Sequence, residues 1–166
     1  MEASRLGHCG LAESLLYLVI LAFLLSTCTA AGAAADPLSG EWLADAVHAA
    51  QRPVGLRITT LRIEADGVRI VIAERGTGPG GAPYSFKLTA DCDGRVNGIV
   101  GSDETDAAQC WRSDSRTFTL KLLREASPRE WRSAELAKNG KTLRVTSTVT
   151  DASGKEEKSV AVFVKQ

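Results

Sequence analysis

Apolar and polar residues alternate along most of the chain from Pro37 onward, in short runs separated by glycine, proline, asparagine and aspartate. A period of two is the mark of strands with one buried face. "LSGEWL" (38–43) predicts a short first strand carrying Trp42. "LADAVHAAQ" (43–51) interrupts the alternation with helix-compatible residues and is stopped by Pro53, which predicts a short helix or an irregular crossing. In "LRITTLRIE" (56–64) the apolar positions are Ile58, Leu61 and Ile63; in "VRIVIAE" (68–74) they are Val68, Ile70 and Ile72. Asp66-Gly67 between two such runs is a strong hairpin signal. "RGTGPGGAP" (75–83) reads as a surface loop, and "YSFKLTA" (84–90) resumes the strand with Tyr84, Phe86 and Leu88 together on one face.

The second half continues in the same way. "QCWRSD" (109–114) and "TFTLKLLRE" (117–125) are strands around Ser115-Arg116, Pro128 punctuates, and "WRSAELAK" (131–138) runs into Asn139-Gly140. "KTLRVTSTVT" (141–150) turns through "DASGK" into "KSVAVFVKQ", whose alternation persists to Gln166. The total is about ten strands joined mostly by tight turns, without the spacing of βαβ units, which predicts an all-β antiparallel up-and-down meander. An open sheet would leave two exposed edges, whereas closure removes them. A regular terminal strand and a regular first strand suggest that the two pair, closing a barrel.

The segment before Pro37 has a different texture. Leu15 to Leu25 is an uncharged apolar run of eleven residues, too short to span a bilayer as a mature helix. It is followed by "STCTAAGAAAD", with A-x-A-like sites at Ala31-Gly32-Ala33 and Ala33-Ala34-Ala35, the layout of a secretory signal peptide over residues 1–35. The domain is then 36–166, exported to a periplasmic or extracellular space. Leu25-Ser26-Thr27-Cys28 offers a weaker alternative, a lipoprotein signal that would tether the domain to a membrane through Cys28. Without Arg5, Glu2 and Glu13 the remainder has a formal charge of about +1, which gives no electrostatic footprint for nucleic acid. A monomer is expected, and no membrane contact unless Cys28 is lipidated.

Cys9 and Cys28 lie in the leader, so the exported chain keeps Cys92 and Cys110. An even pair in an oxidising compartment predicts a disulfide. "DCDGRVNGIVG" (91–101) lies between them, with turn signals at Asp93-Gly94 and Asn97-Gly98. Were 95–100 one full strand, the two cysteines would stand near its opposite ends, roughly 20 Å apart, against the about 7 Å that a disulfide tolerates. The expectation is that the double turn breaks the strand, so that bridge and break stand or fall together.

"SGEW" near the start and "NGKTLRVTSTVTDASGKEEKSVAVFVKQ" at the end, with "LRIEADG" and "SDSRT" between them, resemble a family of small secreted bacterial lipocalin-like proteins. The likeness covers most of Leu38 to Gln166 and departs from the family at "LADAVHAAQ". It implies a calycin-type β-barrel rather than a particular activity. It also implies that Trp42 is structural, plugging a closed end, and that the barrel has room for one small ligand. Trp111, Tyr84 and Phe86 are then the candidates for a ligand-binding wall.

Other chemistry is thinner. "GTGPGG" lacks the Gly-Lys-Ser/Thr of a phosphate loop. Asp91, Asp93, Asp103, Glu104 and Asp106 form no EF-hand pattern, since Arg95 takes the place of a ligand, and solvated loop carboxylates are expected. His48 is the one imidazole outside the leader, so neither a metal site nor a Ser-His-Asp arrangement has an obvious basis, and no cofactor is implied. Three readings follow. The first is a carrier of a small apolar or amphipathic molecule. The second is an interaction module, such as a protease inhibitor, presenting 36–55 from a filled barrel. The third is an isomerase- or cyclase-like enzyme, which would need a buried polar group inside the barrel.

Overall fold

In a computed structural model the described residues are 35–46, 55–99, 105–151 and 153–166. Residues 1–34 of the expected leader and His48 fall outside them, as do Asp103 and Glu104. Ten strands follow in order: β1 (Gly40–Ala44), β2 (Arg57–Ala65), β3 (Arg69–Thr77), β4 (Pro83–Asp91), β5 (Asp93–Gly98), β6 (Ala107–Asp114), β7 (Thr117–Arg124), β8 (Ser127–Leu136), β9 (Thr142–Thr150) and β10 (Glu156–Lys165). They form one antiparallel sheet in the order β4-β3-β2-β1-β10-β9-β8-β7-β6-β5, an all-β meander curled into a nearly closed barrel. β1 does pair with β10, Trp42 opposite Lys165 and Ala44 opposite Phe163. The open seam lies elsewhere, between β4 and β5, the two ends of the sheet order.

Alternation sets the core. Ile63, Ile70, Leu88, Leu120, Leu143 and Phe163 point inward and are fully buried. Each such side chain contributes about 1.5–3 kcal/mol by leaving water. The Asp66-Gly67 hairpin forms as expected: Asp66 Oδ1 accepts the backbone N–H groups of Val68 and Arg69. Those bonds, Arg69 first, hold its carboxyl below the usual range. Val68 belongs to this exposed turn rather than to the inward face.

Several boundaries differ from the expectation. β1 includes Leu43 and Ala44, and the remainder of the expected helix, from residue 47, lies outside the described residues. The surface loop of the glycine-rich stretch is shorter than expected: β3 runs to Thr77, and residues 78–82, around a single 3-10 turn at Pro79–Gly81, lead into β4. Gly76 is needed inside β3 because a Cβ there would collide with the Arg57 carbonyl across the bulge at Ile58/Thr60. Pro128 lies within β8, opposite Leu123 beside a bulge, where a missing N–H is tolerated.

The cysteine argument needs a larger correction. Cys92 and Cys110 are bonded, with Cα atoms 4.2 Å apart, but β5 runs from Asp93 to Gly98, with only a bulge-like irregularity between Asp93 and Val96 at the first expected turn. The strand does not break, because the chain turns after it and returns as β6. Asp93 lies opposite Trp111 in that hairpin, so the ends of the intervening segment meet without a second turn.

Candidate functional site

The up-and-down order sends alternate connections to opposite ends of the barrel. One end gathers residues 36–40 and the turns 65–69, 114–117 and 136–142. It is stoppered. Leu38 and Trp42 are fully buried there, and Trp42 Nε1–H donates to the Leu38 carbonyl oxygen at 3.2 Å. Lys165 Nζ lies 5.1 Å over the Trp42 ring and donates to the Pro37 carbonyl oxygen. Arg112, pointing inward from β6, is paired with Asp36 at 2.6 Å.

The other end gathers the described residues next to β1 and β2 (45–46, 55–56), the turns 78–82 and 125–126, and the ends of β5, β6, β9 and β10, and is lined differently. Here Ile58, Tyr84, Val145 and Ala161 pack on the core yet are only half-buried. Tyr84 lies opposite Gly76, which in turn lies opposite Ile58; Val145 lies opposite Ala161. These side chains line this end of the barrel, termed its mouth.

Beneath the mouth the interior turns polar. Arg132 of β8 donates to Glu130 through Nε (2.7 Å to Oε1) and Nη2 (3.1 Å to Oε2), and to Glu74 Oε1 through Nη1 at 2.6 Å. The Tyr84 hydroxyl donates to Glu74 Oε2 at 3.4 Å. The Arg132 guanidinium lies 5.6 Å over the Phe86 ring, and Ser147, opposite Arg132 on β9, is also buried. The Glu74 and Arg132 side chains are each only 5% exposed. Burial opposes the charge on Arg132, but Glu130 and then Glu74 outweigh it and hold the guanidinium firmly protonated. β3 and β8 stand five places apart in the sheet order, so the Glu74–Arg132 pair ties opposite walls together.

Of the expected wall residues, Tyr84 and Phe86 come together in this cluster, adjacent on the inner face of β4. Trp111 does not. It sits on the outer face, 36% exposed, stacked on Trp131 at 6.0 Å between ring centroids. Cys110 and Arg112 take the inward positions on either side of it. The parity of β6 decides this, and buried Cys110 was the signal for it. Glu74, Glu130 and Arg132 were missed as site residues, because in the sequence they look like the charged outer positions of any strand. Their parity with Ile70, Ile72, Ala134 and Leu136 places them inside. Among the described residues no group of three or more metal-ligating side chains is present, and no helix is long and apolar enough to cross a membrane.

No protein-family model matches the chain, and no curated protein sequence does. Among solved structures, the barrel is similar to zebrafish ileal bile acid-binding protein complexed with cholic acid, at TM-score 0.51 and 13% identity. The match covers 78% of this chain and 99% of the zebrafish one. The likeness is one of fold. It extends over nearly the whole of the zebrafish barrel.

Proposed function

We propose that this chain is an exported barrel that takes a small apolar or amphipathic molecule through its mouth and holds it above the Glu74–Arg132–Glu130 cluster. The observation that carries this reading is the mouth itself. Inward apolar side chains at Ile58, Val145 and Ala161 stay half-buried, whereas Leu38 and Trp42 of the stopper are fully buried. Half-exposed apolar walls over a few placed polar groups are the usual composition of a small-molecule site. The zebrafish barrel's complex with cholic acid supports the reading. Tyr84 and Phe86 form the part of the wall nearest the cluster, and Trp42 and the disulfide keep the container's shape. The leader-like sequence and the disulfide support export.

A fluorescence titration with neutral N-phenyl-1-naphthylamine tests this. The expected result is saturable binding that weakens at least about tenfold in Ala161→Trp, whose indole fills the mouth. Equal binding by this variant, with its fold intact by circular dichroism, would place the probe elsewhere. Native mass spectrometry of the protein exported with its own leader, without reduction, then identifies a natural adduct by mass and reports the leader cleavage site. The buried cluster also favours a second reading, acid–base catalysis at Glu74 and Tyr84. Recovery of the adduct molecule chemically unchanged after prolonged incubation would exclude turnover of that molecule.

A further inference from the structure

We infer that the outer face of β6–β8 is a second binding site, separate from the mouth, which takes the pyranose rings of a glycan on the Trp111–Trp131 pair. These two are the exposed aromatic side chains among the described residues, at 36% and 43%. They approach each other over β7, from β6 and β8, with ring planes 12° apart and centroids 6.0 Å apart, in the range of an offset stack. Both rings are held. Gly94 of β5 has no Cβ, and one there would stand 2.8 Å from Trp111 Nε1, so the indole lies against the β5 backbone. Gln109 Nε2–H donates to the Gly94 carbonyl oxygen at 3.1 Å and fixes that contact from β6. Lys121, opposite Trp131 in the ladder, carries its ammonium 5.1 Å from the centroid of the Trp131 ring. An exposed indole held in one orientation gives up rotamer freedom without adding to the core. A ligand that lands on it meets a surface already ordered, and binding then costs less.

The surroundings specify the occupant. Thr119 lies opposite both Trp111 and Ser133, and Gln109 lies opposite Lys121, all on the same outer face. Flat apolar rings are thus set among hydroxyl, amide and ammonium groups. The two indoles together show on the order of 200 Å² of surface, whereas a stable protein interface takes about 800 Å² from each partner and is most apolar at its centre. A strand face turned to lipid would be apolar between its aromatic residues, and this one is polar there. A pyranose ring matches both parts. Its C–H face is apolar and packs on an indole, while its hydroxyls project sideways, where they can donate to and accept from the groups around the rings.

Quenching of tryptophan fluorescence by acrylamide, with cellohexaose, chitohexaose and maltohexaose added to the exported protein, tests the inference. At least one hexasaccharide should shield part of the emission saturably, because Trp111 and Trp131 are open to the quencher and Trp42 is not. In calorimetric titration, Trp111→Ala and Trp131→Ala should each weaken that hexasaccharide about tenfold or more, with circular dichroism unchanged. Ala161→Trp, which fills the mouth, should leave it as tight as before. Failure of all three hexasaccharides to bind would overturn the inference without touching the container, and equal binding by the two folded alanine variants would overturn it too. Loss of binding in Ala161→Trp would move the sugar to the mouth and overturn the second site. A dimer in sedimentation equilibrium that Trp131→Ala abolishes would also overturn it, by assigning the pair to a second copy of the chain.

Discussion

Glu125 and Ala126 adopt φ angles of 50° and 62° in the two-residue turn between β7 and β8. Both lie in the left-handed region, which costs an L-residue roughly 1–2 kcal/mol and is usually assigned to glycine or asparagine. The turn type is imposed by strand twist, so the residues bear the strain. Ala126→Gly should therefore stabilise the barrel by about 1 kcal/mol, part of the relief being offset by greater freedom in the unfolded chain. A higher urea midpoint with an unchanged slope would show it. The same turn explains why β8 was read as starting at Trp131: Glu-Ala carries no turn signature, and Pro128 looked like punctuation. Trp111 shows the complementary error. The family likeness suggested a wall for it, but which face a residue occupies is set by strand parity.

At the level of elements, β5, like β4 at the other end of the sheet order, has a single ladder partner, and it is the shorter of the two. The Cys92–Cys110 bond pins this hairpin to the corner where β4 ends. Asn97 helps, exchanging hydrogen bonds with the Asp91 backbone. For a loop of this length the bridge contributes roughly 3 kcal/mol in the chain-entropy model. Replacing both cysteines with alanine should cost about that much in denaturant unfolding, with hydrogen exchange in β5 and β6 rising most. Most elements were legible because alternation and Asp-Gly or Asn-Gly turns are local signals, as at Asp66-Gly67 and Asn139-Gly140. The continuity of β5 was not, since it depends on pairing with β6 across a connection that local turn chemistry does not describe. The polar floor was illegible for a related reason. Glu74 and Arg132 meet only because two distant strands face each other, and no spacing along the chain records that.

For the whole molecule, the Glu74–Arg132 tie means that opposite walls share one buried ionic network. Arg132→Ala should cost about 3–5 kcal/mol, because it strands two carboxylates in the interior. Replacing the network as a unit, with Glu74→Leu, Glu130→Leu and Arg132→Met together, should be neutral or stabilising. Thermal unfolding of the two variants side by side checks the contrast, and it would show that the network is not retained for stability. The pairing of β1 with β10 bears on a different matter, the order of events in folding. Trp42 finds Lys165 across almost the whole sequence, so the edge of the first strand stays unsatisfied until the last strand has been made. Non-local pairing of this kind is slow to form. A growing chain would thus hold two separate meanders, β1–β4 and β5–β9, until β10 has been made and joins them into one wall.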